Sequence, residues 1–163
     1  MRHQKKVMEK ISLKLFEFLN LEAEINGLVN QQTGETISKG LLSEKLNMIT
    51  KYWITDLNKR LTSEKESINK LRDELIMKYG STDENGGYQL SPSTKVEDGV
   101  DEEGNPKFKA ESNQDFFEFQ KEYNDLLSQE RELEYKPFNI SDFAHVETEG
   151  NYQTFFQLIK VED

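Results

Sequence analysis

A long series of apolar residues at helical spacing constrains the fold of this chain more than any other feature. Between residues 42 and 79 an apolar residue recurs at nearly every third or fourth position, which places these side chains on one face of an α-helix. Glu64 interrupts the series, and the polar run TSEKES at 62–67 leaves open whether the helix is kinked. The pattern predicts a helix over 39–79. Its apolar stripe consists of Leu42, Leu46, Ile49, Trp53, Leu57, Leu61, Ile68, Leu71, Leu75 and Tyr79.

Shorter apolar stripes predict two further helices, over 5–31 and 113–134. Together with the long helix they indicate a mainly α fold, an elongated helical hairpin or bundle. A small β-hairpin insertion is expected between the long helix and the helix that returns. With 163 residues, the chain is predicted to form a single domain over 1–163.

The segments after the long helix and after the last helix are predicted to be non-helical. In the insertion at 80–112 the runs DENGG and DEEGNPK are turn sequences, which predicts one or two hairpins, with a disordered acidic loop as the alternative. Pro137 stops the last helical pattern, so 135–163 is predicted as a short extended tail. The apolar run FFQLIKV in that tail docks either on the core or on a partner.

Charge is unevenly distributed along the chain, whose net charge is −10. Residues 1–80 carry +3, residues 81–113 carry −5 and residues 114–163 carry −8. A basic part and an acidic part favour packing against further copies of the chain or against other proteins. The acidic balance disfavours nucleic acid as a partner. No apolar run is long enough to cross a bilayer, so no membrane partner is predicted.

No motif of the sequence indicates an enzyme or a metal site. The two histidines, His3 and His145, are far apart, and the chain has no cysteine, so a zinc site lacks ligands. The acidic run 98–109 does not fit an EF-hand loop, because Glu103 stands where a glycine is needed and Lys109 where a bidentate glutamate is needed. We therefore predict no catalytic residues, no metal, no cofactor and no small-molecule substrate.

Aromatic and apolar residues outside the main stripe are the candidates for binding a partner, because such side chains dominate interface energetics. Phe117 directly follows Phe116 and cannot share its helix face, which makes it the better candidate of the two. Trp53 lies on the main stripe and is expected in the core. The predicted interface residues are Phe117, Tyr88, Phe108, Phe155, Phe156 and Leu158.

Three segments, KYGSTDENGG, DEEGNPKF and FFEFQKEYNDLLSQERELEYKPFNISDF, resemble in their order a family of small tailed-bacteriophage proteins. In that pattern a long helix ending in KYG precedes an acidic loop, a second helix and an extended piece similar to KPFNISDF. The resemblance covers residues 60–143. It implies a phage gene product with a virion or assembly role, found in the virion or in the cytoplasm of an infected bacterium. It provides no catalytic residues to transfer.

These observations together predict a non-enzymatic structural or assembly protein that acts through protein–protein contacts in a multi-copy particle. The first alternative is an acidic, early-expressed inhibitor of a host nucleic-acid-binding or defence protein. The second alternative follows from shape, since a long helix, a hairpin and a returning helix resemble the plan of prefoldin and would imply a holdase. The predicted second arm, 113–134, is much shorter than the first, which departs from that plan.

Overall fold

The structure, a computed structural model, describes residues 8–146 and 152–160. Short 3₁₀ helices lie at Leu41–Ser43, Ile140–Phe143 and Phe155–Leu158. The helices and strands, in chain order, are β1 (Glu9–Lys14), α1 (Leu15–Asn26), β2 (Gly27–Val29), β3 (Thr36–Lys39), α2 (Met48–Tyr79), β4 (Ser81–Thr82), β5 (Tyr88–Gln89), β6 (Ser93–Val100), β7 (Pro106–Ser112), α3 (Gln114–Leu127), β8 (Glu130–Tyr135), β9 (Phe138–Asn139) and β10 (Ile159–Lys160). The strands pair two by two: β1 with β8, β2 with β3, β4 with β5 and β6 with β7 antiparallel, and β9 with β10 parallel.

The predicted fold class, a mainly α elongated helical hairpin or bundle, is wrong. Helical residues, 3₁₀ helices included, make up 47% of the described chain, and strands in several small sheets make up 28%. The long helix exists as α2, but it begins at Met48 and not at residue 39. Strands occupy parts of both shorter predicted helices.

The chain divides into two compact units. In the described residues, unit 1 comprises 8–67, 128–146 and 152–160, and unit 2 comprises 68–127. Helix α2 contributes residues to both units.

Strand β1 replaces the first part of the helix predicted over 5–31, of which residues 5–7 lie outside the described residues. Its sequence EKISLK alternates polar and apolar residues, which puts Ile11 and Leu13 on one face, and Leu13 is buried. Helix α1 ends at Asn26, because Gly27 follows with a φ of 84° that favours glycine. Ile11 also lies at helical spacing from Met8 and Leu15, and for this reason the segment was predicted as a helix although it alternates.

Strand β8 replaces the end of the helix predicted over 113–134. Helix α3 ends at Leu127, and the sequence ERELEY of β8 again alternates, so that Leu133 and Tyr135 are buried while their neighbours are exposed. Ile11 lies directly opposite Leu133 in the sheet. Burial of alternate residues on one face therefore outweighs the helical propensity of this glutamate-rich run.

The outer face of the β1–β8 sheet carries pairs of opposite charge. Lys10 lies opposite Glu134, and Lys14 lies opposite Glu130. Directly opposed unlike charges stabilise an antiparallel pair, whereas like charges destabilise it. The charge pattern and the apolar pattern thus specify the same register of the two strands.

In unit 1, α1 and the first half of α2 run antiparallel. The side-chain amides of Asn26 and Asn58 exchange hydrogen bonds of 2.8 and 3.1 Å, and one turn earlier in α1 Glu22 Oε2 lies 3.0 Å from Lys65 Nζ. The two helices supply much of the buried core of this unit. Their buried apolar residues here are Leu15, Phe18, Leu21, Ile25, Ile54, Leu57 and Leu61.

The buried face of α2 differs from the predicted stripe at its beginning. Asn47 Oδ1 accepts a hydrogen bond of 2.8 Å from the backbone N–H of Thr50, in the manner of a helix cap. Residues 42–47 therefore precede the helix and do not share its period. Ile49, a member of the stripe, is 70% exposed, whereas Ile54 outside it is fully buried.

Glu64, the acidic residue on the stripe, faces β8. Its side chain is 16% exposed, and Glu64 Oε2 lies 3.4 Å from Arg131 Nε. An ion pair thus occupies the position where the pattern called for an apolar residue, and α2 continues through it as one helix.

The carboxy-terminal segment docks on the core of unit 1, which was one of the two alternatives for it. Tyr152, Phe155 and Leu158 are buried, and the Phe155 ring packs against Phe138 and Phe143 with centroid distances of 5.1 and 5.5 Å. The remaining tail positions, 147–151 and 161–163, lie outside the described residues.

Two carboxylates anchor this segment. Glu24 accepts backbone hydrogen bonds from Phe155 at 2.9 Å and from Thr154 at 3.2 Å. The Tyr152 hydroxyl donates to Glu44 Oε2 at 2.7 Å, and Lys39 Nζ lies 3.4 Å from Glu44 Oε1. Glu44 is buried, so this donor and this cation compensate its charge. Burial and the contact with Glu44 raise the pKa of Tyr152 well above its usual range.

Candidate protein-binding surface

The turn DENGG in unit 2 is organised by its first aspartate. Asp83 Oδ1 accepts backbone hydrogen bonds of 2.9 Å from Asn85 and Gly87, and Gly86 has a φ of 83°. The turn therefore spans Asp83 to Gly87, longer than the two-residue turn that Asn85-Gly86 predicted.

The turn DEEGN repeats the same geometry. Asp101 Oδ1 accepts from the backbone N–H groups of Glu103 at 2.9 Å and Asn105 at 2.8 Å, and Gly104 has a φ of 86°. The turns predicted in these two sequences are thus confirmed. In both, the aspartate carboxylate is used to organise the backbone, a role that requires no metal.

The β6–β7 hairpin between β5 and α3 presents apolar side chains on one face. Phe108 lies opposite Glu97, and Val100 lies opposite Pro106, two positions along β7 from Phe108 and hence on the same face. Phe108 is 51% exposed and Val100 is 65% exposed. Lys95 Nζ lies 5.4 Å from the centre of the Phe108 ring, a cation–π contact.

Helix α3 is amphipathic, but none of its residues is buried. Phe119 stacks on Tyr123 at 5.7 Å and lies 6.2 Å from Phe116, so the three rings form a row whose members are only partly buried. Phe117 is 44% exposed. In unit 2, whose residues are all described, Ile68 is the one buried side chain. This unit therefore retains a large amount of accessible apolar surface.

A polar cluster links α2 to α3 within unit 2. The Tyr79 hydroxyl donates a hydrogen bond to Glu122, and Lys78 Nζ lies 3.1 Å from the same carboxylate. The hydrogen bond from Tyr79 lowers the pKa of Glu122, and the contact with Glu122 raises the pKa of both Tyr79 and Lys78. The cluster is accessible to solvent and orients the two helices through polar contacts.

The six predicted interface residues divide into two groups. Phe117, Tyr88, Phe108 and Phe156 are between 44% and 56% exposed and remain candidates. The structure corrects the prediction for Phe155 and Leu158, which are 1% exposed in the core of unit 1. Phe155 and Leu158, three positions apart on one side of a 3₁₀ helix, are buried, whereas Phe156 between them is exposed, a distinction that depends on which side of the helix meets the core of unit 1.

Sequence reasoning missed an exposed apolar surface at the start of α2, which we call the α2 patch. It consists of Met48, Ile49 and Tyr52, which are 78%, 70% and 63% exposed. Their spacing of one, three and four residues puts them on one side of the first helical turns. The exposure of Ile49 could be predicted only by recognising that Asn47 caps the helix directly before it.

A groove of about 800 Å³ that contains titratable groups lies in unit 1. His145 shares it with Lys45, Lys51, Asp142 and Ser141. Among residues 8–146 and 152–160, no group of three or more histidine, cysteine or acidic side chains is arranged to hold a metal ion. His3 lies outside the described residues. The predicted lack of catalytic, metal and cofactor sites remains a prediction.

Comparison of the chain with protein-family models, curated proteins and solved structures found no match. In the described part of the chain, no helix combines the length and the apolar character needed to cross a membrane.

Proposed function

We propose that this protein is a non-enzymatic phage structural or assembly protein, present in multiple copies, and that unit 2 supplies its contacts. The observation that carries the proposal is that α3 has an apolar face without a buried residue. An amphipathic helix gains most of its stability by burying that face, so α3 is suited to bury it against another protein. The order of segments that resembles tailed-bacteriophage proteins supports the particle as the setting.

The first experiment asks whether the chain is in the particle. Virions of the phage that encodes it are purified and their proteins identified by mass spectrometry. The proposal expects the chain at a stoichiometry of many copies per particle. Purified virions and assembly intermediates that lack the chain would contradict a structural or assembly role.

Substitution of Phe117 by alanine tests the surface. Because this side chain is 44% exposed, we expect the free energy of unfolding to change by no more than about 1 kcal/mol while incorporation into particles falls. Phe16→Ala is the matched control, since Phe16 is 42% exposed and belongs to unit 1. Equal incorporation of the Phe117 variant and the wild type would contradict a contact through the exposed side of α3 that carries Phe117.

A second function is favoured by charge. Unit 2 contains fourteen acidic and seven basic residues, a net charge of −7, and five acids crowd the sequence 97–103 at the hairpin tip. Such a surface suits a host protein that binds nucleic acid or acts in defence through a basic site. In this case a purified host nuclease would bind the chain at low salt and release it at high salt. Absence of binding to such host proteins at low salt would contradict this second function.

The holdase alternative is not proposed. Its basis was a resemblance to the prefoldin plan, which requires the elongated helical hairpin that the structure contradicts.

A further inference from the structure

The α2 patch has a basic border. The run KLNMITKYWIT, residues 45–55, contains Lys45 and Lys51 and no acidic residue. Lys136 adds a third cation, 4.9 Å from the centre of the Trp53 ring, and the Tyr52 ring meets the Trp53 ring edge-on at 5.1 Å. Three cations therefore lie in or beside the segment that carries the exposed apolar residues.

Two of the acidic residues near this patch, Glu44 and Asp56, are already paired within the chain, so they do not cancel the charge of the lysines. Glu44 is buried and engaged by Lys39 and Tyr152. Asp56 forms an ion pair with Arg60. Asp142 shares the neighbouring groove with Lys45, Lys51 and His145, and is the remaining acid there. The amino-terminal end of α2 adds the partial positive charge of the helix dipole, which also favours an acidic neighbour.

The hairpin of unit 2 has the complementary character. Its exposed apolar residues Phe108 and Val100, together the hairpin patch, lie beside acids at 97, 98 and 101–103. Lys95 is the basic residue on the face of Phe108, while Lys107 and Lys109 lie on the other face, where Lys109 Nζ is 3.7 Å from Glu111 Oε1. Both patches thus combine exposed apolar side chains with charge, and the charges have opposite sign.

We propose that the α2 patch of one copy binds the hairpin patch of a second copy, head to tail. This inference rests on the proposed function, for which it names the partner and the surface. Two different patches make a heterologous contact, which leaves one unused patch at each end and therefore propagates into rings or open chains. Opposite charges at the border orient the two copies, and burial of the apolar centres supplies affinity.

The test uses sedimentation velocity on the full chain from micromolar to millimolar concentration. Wild type is expected to grow in mass with concentration, and added salt is expected to weaken the association. Ile49→Asp in the α2 patch and Phe108→Asp in the hairpin patch should each weaken it about tenfold or more, because each places a charge in an apolar contact. Ile37→Asp is the matched control, since Ile37 is 66% exposed in unit 1 but outside both patches. It should associate as wild type does.

Mixing the two variants gives the decisive result. Each variant keeps one intact patch, so at a concentration where each variant alone is monomeric a mixture should form a one-to-one heterodimer that does not grow further. Circular dichroism confirms that each variant is folded before mixing. A mixture that remains monomeric, variants that alone associate as tightly as wild type, or a wild type that stays monomeric would each overturn the inference.

The outcomes separate this inference from the proposed function. A monomeric chain that is nevertheless found in virions, and that depends on Phe117 for incorporation, overturns head-to-tail assembly and leaves the structural role standing. If the two variants form the heterodimer but the chain is absent from virions and assembly intermediates, head-to-tail assembly stands and the structural role is overturned.

Discussion

At the scale of residues, two carboxylates of unit 1, Glu24 and the buried Glu44, show how a short segment is held without a disulfide. Glu24 caps the 3₁₀ helix Phe155–Leu158 by accepting two backbone hydrogen bonds, and Glu44 accepts the Tyr152 hydroxyl. Hydrogen bonds to a carboxylate are stronger than those between neutral groups, and for the buried Glu44 they also compensate the cost of removing the charge from water. These contacts select the core, and not a partner, as the docking site of residues 152–160.

Replacement of Tyr152 by phenylalanine tests this anchor. At neutral pH the substitution should lower the free energy of unfolding by about 1–3 kcal/mol, because Glu44 stays buried without its hydroxyl donor. The folded pKa of Tyr152 is raised, so its stabilising contribution is complete below the unfolded pKa of about 10 and is lost as the pH rises beyond it. Urea unfolding between neutral and alkaline pH should therefore show a smaller alkaline loss for the variant than for wild type.

Tyr88→Phe is the control for that experiment, because Tyr88 is 47% exposed in unit 2. Tyr79 and Tyr135 also have raised pKa values, so part of the alkaline loss should persist in the Tyr152 variant. An unchanged alkaline loss in Tyr152→Phe would contradict the role assigned to the contact with Glu44.

At the scale of elements, two sequence periods compete in the same segments. EKISLK and ERELEY alternate polar and apolar residues, the period of a strand, but each also adjoins a real helix whose pattern extends into it. Neither strand is stable alone, since a two-stranded sheet needs a surface on which to pack. Their pairing brings Leu13, Leu133 and Tyr135 to the core of unit 1, and this burial decides in favour of the strand.

Exchange of charges across β1 and β8 tests the register. Lys10→Glu should destabilise the chain, because it places a glutamate opposite Glu134, and adding Glu134→Lys should restore about 0.2–1 kcal/mol. The measurement is a double-mutant cycle by urea unfolding. Lys10→Glu combined with Glu130→Lys is the control, because Glu130 lies opposite Lys14 and not Lys10. Coupling of equal size in both combinations would contradict this register.

At the scale of the whole molecule, the two units differ in how much of their apolar surface they bury. Unit 1 contains nearly all buried apolar residues of the described chain, whereas in unit 2 Ile68 is the one buried side chain. Unit 2 also carries the larger acidic excess and the two exposed turns. A unit with few buried contacts opens locally at low free energy, and contact with another protein would stabilise it.

Hydrogen exchange measures this difference directly. Peptides from α3 should exchange faster than peptides from α1, because α1 contains four buried residues and α3 contains none. Exchange followed by mass spectrometry at low protein concentration isolates the single chain. Protection of α3 equal to that of α1 under these conditions would contradict the difference in local stability.

Much of the fold could be predicted where the signal is local. Eight of the ten apolar positions of the predicted stripe lie in the long helix α2, and the two acidic turns depend on aspartate and glycine within five residues. The candidate surface was predicted in part, since Phe117, Tyr88 and Phe108 are exposed. The α2 patch was missed because its exposure depends on the cap at Asn47, which shifts the helix start by nine residues from the predicted position.

The sequence by itself determined the elements whose causes lie within a few residues: the body of α2, the hairpin turns at Asp83 and Asp101, and the separation of basic and acidic parts. Only the tertiary structure decided between strand and helix for β1 and β8, and between core and partner for Phe155 and Leu158. The physical reason is that each of these choices depends on burial against residues that are distant in the chain. A local pattern can show that a segment has an apolar face, but the surface that covers this face is formed elsewhere.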